Sequence, residues 1–598
     1  MRRLRHNGIL VQRSYDGKGL VIRVRGKEIV LTPEQEEMAQ AWARKIGTTY
    51  VEDQVFAKNF HRDFSKKLGI QVDPGDVDFS EILAVIEEER KSKENLSKEE
   101  RKRLATERKD KREENKEFYG YAWVDSERVE IANYAAEPSC IFMGRGKHPL
   151  RGRWKEGPSE EDIELNLSPD APKPKGNWKD VIWQPESMWI ARWRDKLAGK
   201  MKYVWFSDSS TMKQKKDVQK FNQARKLRRS LQRIKKHIKE NLDSKNPKRR
   251  KTATVCYLID ELKIRVGDEK DPDEADTVGA STLRPEHIQY NGDGTVTFNF
   301  LGKDAVPHIF KISLPGNVIR NLQEFSQNAN STLFDGIRSQ QVSEFLDEMM
   351  TGLSAKVFRT CYASQAVDTN LEETLIKPKD PDYAKKYTAK MANLEAAKIC
   401  NHRRQIPKNW KSSLEKNKAR LEDLESQAKK KQKKLKRKAK KTKERYRDLE
   451  KKREDRIKEM EEKLEAYLQE LNDRKQQGKP VRSIKQRIES KREAIVYQKQ
   501  LLIKLKAKHN EWMKKLDESM KKRRKRDKAA VEKLRLQIEA KKETRDYNLS
   551  TSLKSYIDPR IYYNWGKKVD YDWKQYYPKA LRSKFSWVED KEKSVERD

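Results

Sequence analysis

The amino-acid sequence predicts an α+β protein in which globular parts share one chain with a long, solvated helical hairpin. Three observations carry that prediction. Short apolar runs alternate with helical stretches from Ile9 to about Ser210. A mostly helical pattern, interrupted by one strand-and-turn region, follows to Ile406. From Pro407 to Arg545 a narrow apolar seam then runs through strongly charged sequence. Composition agrees, because a 35% hydrophobic fraction leaves material for real cores, whereas 39% charged residues and a mean hydropathy of -1.08 lie far from an ordinary globular average.

Four parts are expected, with boundaries at 1–210, 211–406, 407–545 and 546–598. In the first, a mixed region, Leu20 to Val24 and Tyr203 to Phe206 read as strands and Pro33 to Ile46 as a helix. Asn95 to Phe118 is almost all charge with sparse leucine and predicts an exposed helix, and Asp170 to Gly176 reads as a loop. The second part is a mainly helical candidate catalytic core. Its strand and turn region spans Ile288 to Ile312, where Asn291-Gly292-Asp293-Gly294 marks a hairpin. In the third, Leu414, Leu421, Leu424, Leu435, Ile457, Met460, Leu464 and Leu471 form a seam with spacings mostly of three, four and seven. Gly478-Lys479-Pro480 should turn the chain before the seam resumes at Ile484, Ile488, Ile495, Leu502, Leu505, Trp512 and Leu516. Two arms of about 65 residues would fold into an antiparallel coiled-coil hairpin roughly 100 Å long. Lys429 to Lys441 and Lys521 to Arg526 offer dense positive charge on it, although a charged rod that touches nothing fits the pattern equally well. The fourth part is a small C-terminal domain that regains aromatics, among them Tyr556, Tyr562, Tyr563, Trp565, Trp573, Tyr576, Tyr577 and Trp587, and such density implies docking onto a core.

Lys and Arg outnumber Asp and Glu by 136 to 95, a net charge of +41 over 598 residues. That excess predicts a polyanionic partner and salt-dependent binding, with nucleic acid the leading candidate. No run of about 18 apolar residues is present, and Met1-Arg2-Arg3-Leu4-Arg5 lacks the apolar stretch of a signal peptide. A soluble intracellular protein with no membrane partner is expected. Cys140, Cys256, Cys361 and Cys400 stand far apart with no C-x-x-C pair, so neither a zinc site nor a disulfide framework is predicted.

Several constellations are missing from the sequence: a G-x-x-x-x-G-K-[ST] phosphate loop, H-E-x-x-H, an EF-hand loop and a G-x-S-x-G elbow. ATP-driven and zinc-based chemistry lose ground accordingly. Gly144-Arg145-Gly146-Lys147-His148-Pro149 is Gly-rich, but no dinucleotide-binding unit surrounds it, and backbone contact with a nucleic-acid phosphate is the better reading. What remains is a set of basic residues in otherwise apolar, patterned segments. Arg265 lies in L-K-I-R-V-G, Lys303 in F-L-G-K-D, Arg359 in A-K-V-F-R-T and His402 in C-N-H-R-R. Taken singly, each has an ordinary explanation, since a helical arginine usually pairs with a carboxylate and a lone histidine is usually a satisfied core residue. Together they are what phosphodiester transfer requires. Two guanidiniums can hold nonbridging oxygens through planar forks, and a histidine can donate one more hydrogen bond. A lysine can protonate a leaving 5′ oxygen, and a tyrosine can attack phosphorus.

In this order the motifs resemble the eukaryotic type of DNA topoisomerase IB over nearly the whole chain. Beyond the four segments just quoted, the resemblance rests on G-R-G-K-H-P at 144–149, A-D-T-V-G-A-S-T-L-R-P-E-H at 275–287 and S-Y-I-D-P-R at 555–560, with a long helical hairpin between His402 and Tyr556. It implies that Tyr556 forms a 3′-phosphotyrosyl bond, that Arg265, Arg359 and His402 stabilise the transition state, and that Lys303 is the general acid. It also places Arg145 and Asp304 near the cleaved bond, and Lys147 is expected to contact DNA as well. The activity implied is relaxation of supercoiled duplex DNA by transient cleavage, strand rotation and religation, by a monomer without ATP, metal or another cofactor. The N-terminal region would be one jaw of a DNA clamp and the hairpin a brake near downstream DNA. The sequence departs from the family in lacking a long basic N-terminal tail, which favours an archaeal or other prokaryotic member; a prokaryotic member would be cytoplasmic and nucleoid-associated, a eukaryotic one nuclear. Its hairpin is longer than usual, and Ser555 replaces the asparagine that commonly precedes the tyrosine, which puts sensitivity to camptothecin-like poisons in doubt. Two rivals stay open: a tyrosine recombinase, which uses similar residue types, and an architectural DNA-binding protein in which Tyr556 merely packs.

Overall fold

The computed structural model describes residues 1–144, 146–268, 276–329 and 331–590, and at Asp304 the backbone alone. The chain groups into two compact units, the first made of Met1–Lys379, Ala392–Arg404 and Tyr547–Asp598 and the second of Asp380–Met391 and Gln405–Asp546. Its helices and mixed sheets make it an α+β protein.

In the first unit, the N-terminal third builds two cores. Strands Leu4–His6, Tyr121–Val124 and Glu127–Glu130 form an antiparallel sheet. A four-stranded sheet runs in the order Asp180–Ile182, Ile163–Asn166, Trp189–Arg194 and Met201–Trp205, and its first pair is parallel. Leu4, Ala122, Leu165, Ile190, Val204 and Phe206 fill one core with residues of both sheets. The second core lies under α1 (Pro33–Ala43), α2 (Gln54–Leu68) and α3 (Ser80–Asn95) and centres on Trp42, Phe56, Phe60 and Phe64. Helix α1 starts with a capping box of Thr32 and Gln35 and a proline at its first position, which satisfies N–H groups that the first turn cannot. By contrast, α4 (Lys98–Tyr119) buries no residue. A capping box of Ser97 and Glu100 and ion pairs one turn apart, such as Arg103 with Glu107, support this solvated helix.

A third core is enclosed by α5 (Thr211–Asn241), α6 (Pro247–Leu262), α7 (Gly316–Gln327), α8 (Ser339–Asp347) and α9 (Ala355–Glu372) with an antiparallel sheet of Ile288–Tyr290, Thr295–Gly302 and Val306–Ser313. The middle strand alternates, with Val296, Phe298 and Phe300 buried, as a sheet with one covered face requires. Residues 291–294 close its first hairpin, and Lys303–Ala305 close the second. Helix α10 (Asp382–Ile399) follows.

The second unit is dominated by α11 (Trp410–Gln476) and α12 (Arg482–Glu543), of 67 and 62 residues, which turn at Gly478 and run antiparallel. Ile457, Ile484, Ile488 and Ile495 are buried along the seam, and Leu414, Leu534 and Ile538 pack at its base. Glu425 meets Arg535 at 2.6 Å and Glu450 meets His509 at 2.9 Å, which fixes the register. Between those rungs, residues 429–441, with ten bases and no acid, stand level with 521–528, with seven bases and Asp527.

The first unit is completed by α13 (Leu549–Ser555), α14 (Pro559–Lys568) and α15 (Lys579–Lys584). Tyr562, Trp565, Trp573, Tyr577, Phe585 and Trp587 are all buried there. Phe221 of α5 lies 6.3 Å from the rings of both Phe585 and Trp587, so the aromatic cluster is joined to the third core.

Candidate active site

Each of the five residues singled out for chemistry sits where a regular element ends or beside such an end, except Arg359, which lies inside α9. Helix α6 stops because Lys263 takes a left-handed conformation, with φ 56°, and Arg265 follows two residues later in extended chain. Arg265 is therefore just past the helix. The 278–281 segment laces this stretch to the neighbouring strand: Val278 N–H donates to the Leu301 carbonyl at 2.7 Å, and Ala280 N–H donates to the Arg265 carbonyl at 2.8 Å. The lacing needs a close backbone crossing, since a Cβ on Gly279 would stand 2.5 Å from the Cα of Gly267. Lys303 then occupies the turn that follows Leu301 and Gly302.

His402 lies beyond the end of α10, after Asn401 at φ 48°. Its N–H donates to Ala397 and its carbonyl accepts from Asn548 N–H at 2.7 Å, so the residues just before and just after the second unit are stitched together next to the imidazole. Tyr556 ends α13, and its N–H donates to Ser552 at 2.9 Å.

These residues converge. A cavity of about 320 Å³ is lined by Arg265, Lys303, Lys356, Arg359 and Tyr556 together with the backbone crossing at Gly267 and Gly279. A smaller cavity of about 90 Å³ shares Arg265, Lys303 and Arg359 and adds His308, His402 and Arg403. No carboxylate is among the described residues that line either one. Arg359, 3% exposed, donates from Nη2 to the Cys400 carbonyl at 2.6 Å and comes within 3.5 Å of His402 Nε2. Its guanidinium carbon lies 5.0 Å from the centre of the Tyr556 ring, and the His402 ring centre lies 5.2 Å from it.

The electrostatics follow from this crowding of cations. Burial, then the charges of Arg359 and Arg265, lower the His402 imidazole from 6.5 to about 3, so the ring is neutral at ordinary pH. His308 is held down to about 4 for the same reasons, with Arg403 contributing. Three buried polar atoms, Arg359 Nε, His402 Nδ1 and His308 Nδ1, have no protein partner. Unpaired buried groups are costly, and a tetrahedral oxyanion entering a cation-lined cavity would supply the missing acceptors and opposite charge.

The predicted DNA-contacting residues divide. Lys147 is exposed in a turn. Gly146 abuts the Lys303 turn so closely that a Cβ on it would lie 2.8 Å from the Cβ of Ala305. Arg145 and the Asp304 side chain lie outside the described residues, as does Ala275 at the start of the 275–287 motif.

Three residues tied to the surroundings of the site were not singled out in the sequence. His308 alternates with apolar neighbours and stacks on Phe300 at 5.1 Å, and a titratable group in an apolar strand beside Lys303 was the available signal. Asp558, 2% exposed, caps α14 and pairs with Arg225 at 3.0 Å and Arg560 at 2.8 Å; the Asp-Pro step after the tyrosine was its signal. Ser364 of α9 bonds to the tyrosine loop and carried no signal at all. Among the described residues no cluster of His, Cys, Asp or Glu is arranged to hold a metal ion, and no helix is long and apolar enough to cross a membrane.

Comparison with known proteins gives a consistent result along the chain. Residues 1–206 match the family model described as the DNA-binding fragment of eukaryotic DNA topoisomerase I, and 209–435 match its catalytic core. Residues 528–596 match a C-terminal topoisomerase domain. The chain is 31% identical over 584 residues to human DNA topoisomerase 1, covering 94% of this chain and 67% of that protein. It is 30% identical over 599 residues to DNA topoisomerase 1 beta of Arabidopsis thaliana, covering 98% of this chain and 58% of the relative, and 29% identical over 616 residues to DNA topoisomerase 1 of Candidozyma auris, covering 98% and 81%.

Proposed function

The chain belongs to the eukaryotic DNA topoisomerase I family, and from that premise we propose that it is a type IB DNA topoisomerase relaxing supercoiled duplex DNA. The observation that carries the proposal is the convergence of Arg265, Lys303, Arg359, His402 and Tyr556 on cavities with no described carboxylate. The Tyr556 hydroxyl gives its proton to solvent water and attacks the scissile phosphorus. A phosphotyrosyl bond to the 3′ end forms as the bond to the 5′ oxygen breaks, and Lys303 gives that oxygen its proton. Arg265, Arg359 and His402 hold the nonbridging oxygens, where charge accumulates in the transition state. The new bond conserves the energy of the old one, so the freed 5′ hydroxyl can reverse the step after the strand has rotated. The scheme uses neither ATP nor a metal.

Arg145, Lys147 and Asp304 contact DNA in this reading, Arg145 and Asp304 near the cleaved bond, and the protein acts as a monomer. The net charge of +41 and the bases on both arms of the hairpin suit a polyanionic partner. The test incubates negatively supercoiled plasmid with the full chain in EDTA without nucleotide, over a range of salt, beside Tyr556→Phe, which keeps the ring and removes the nucleophile. Relaxation by the parent and none by the variant is expected. A parent that never relaxes plasmid, or a variant that relaxes it equally, would overturn the proposal.

A further inference from the structure

Helix α9 does more than present Arg359. Three residues on, the Tyr362 hydroxyl donates to Asp260 of α6, five residues before Arg265. Two residues further, Ser364 Oγ donates to the carbonyl of Tyr556 at 3.1 Å and accepts the N–H of Asp558 at 3.0 Å. One hydroxyl thus clamps two peptide groups that flank Ile557. The far side of the clamp is firm, because Asp558 is held by Arg225 of α5 and by Arg560.

Resting on the proposed chemistry, we propose that Ser364 is a positioning residue that sets the distance between the Tyr556 nucleophile and the phosphate held by Arg359. Arg359 and Ser364 share one helix and lie about 7.5 Å apart along its axis. A hydrogen-bonded helix is stiff over that length, so it acts as a ruler with the phosphate-holding guanidinium at one mark and the nucleophile's main chain at the other. The other backbone bond of Tyr556, to Ser552, lies within its own helix and fixes nothing relative to α9.

Replacing the hydroxyl removes the tie without forcing a collapse. Ser364 and Asp558 both line a cavity of about 760 Å³ on the side of α9 towards α5 and α14. Water entering there can satisfy the two freed backbone groups, but it cannot hold them at a set distance from α9. A threonine keeps the hydroxyl, and its position lines the same space.

The two half-reactions respond unequally. Cleavage requires a free phenol to find phosphorus, so it depends on the tie. In religation the tyrosine is already bonded to that phosphorus, and the incoming 5′ hydroxyl is aligned by the duplex. The experiment uses the full chain, a duplex whose short downstream fragment, bearing the new 5′ hydroxyl, dissociates after cutting, and added 5′-hydroxyl strand for resealing. Ser364→Ala is expected to cleave about tenfold more slowly in single turnover, with religation within about twofold of the parent, so that less covalent complex stands at equilibrium on uninterrupted duplex. Ser364→Thr should cleave within about twofold of the parent. Partial misfolding lowers the amplitude of both reactions and leaves both rate constants alone, so it does not imitate this pattern. Parental cleavage by Ser364→Ala, equal slowing of cleavage and religation, or a threonine variant as slow as the alanine variant would each overturn the inference. A parent that does not cleave would instead overturn the proposed function itself.

Discussion

His402 should remain neutral well into acid in the DNA-free chain. The ring is 8% exposed, its Nδ1 has no partner, and a guanidinium nitrogen of Arg359 stands 3.5 Å from its Nε2. Burial first, then Arg359 and Arg265, bring its pKa from 6.5 to about 3. That difference is worth about 5 kcal/mol against the imidazolium. Because the folded value lies below the unfolded one, the stabilisation is complete above the unfolded pKa of 6.5 and is lost as pH falls towards 3. At about pH 5 the loss is roughly 2 kcal/mol. The assay is NMR titration of protein carrying carbon-13 at the histidine ring, with the His402 signal assigned by its disappearance in His402→Gln. The signal should hold the neutral-imidazole position from about pH 7.5 to about pH 5. In urea denaturation over the same interval, the parent should lose about 2 kcal/mol more than the variant. A phosphodiester brought to the cavity would raise the pKa, so duplex binding in acid solution should be accompanied by proton uptake. A His402 signal that titrates near 6.5 in the DNA-free chain would refute the argument that burial and two guanidiniums set its charge.

On the proposed chemistry, Arg359→Lys offers one point charge where a planar fork serves both the Cys400 carbonyl and a phosphate, and single-turnover cleavage should slow by about 100-fold while duplex affinity changes little. Asp558→Asn leaves the guanidiniums of Arg225 and Arg560 without their carboxylate, which should cost about 3 kcal/mol in thermal or urea unfolding. Leu534→Ala opens a void beside Leu414 and Ile538 and should weaken the base of the helical hairpin by about 2–4 kcal/mol. Faster amide exchange in residues 410–424 and 530–543, with the Tyr556 segment unchanged, is the expected record of that loss.

Much of the fold was legible because its signals are local. Thr32 with Pro33 marks the start of α1, alternation marks the 295–302 strand, and the apolar seam with Gly478 marks the long hairpin. Pairings between distant segments left no such trace. Leu4–His6 pairs with Tyr121–Val124 across more than a hundred residues, and Ile163–Asn166 lies parallel to Asp180–Ile182, because burial of one face fixes register only after the chain has collapsed. The site divides in the same way. Arg265, Lys303, Arg359 and His402 could be noticed as charges set in apolar sequence, but their meeting is a tertiary fact, and the family resemblance alone anticipated it. Ser364 could not be noticed, since a serine inside a helix is commonplace and its partners lie 192 and 194 residues away.

The order of these groups along the chain bears on how the protein comes off the ribosome. Arg265, Lys303, Arg359 and His402 are all synthesised before the long hairpin, and Tyr556 emerges only after it. On the proposed chemistry, no nascent or truncated chain that stops short of Tyr556 can cut, whichever of the phosphate-holding residues it already carries. The first molecule able to break a strand already contains everything needed to reseal it. On that chemistry, sequence order denies incomplete chains a strand-cutting activity, without an inhibitor or a proteolytic activation step.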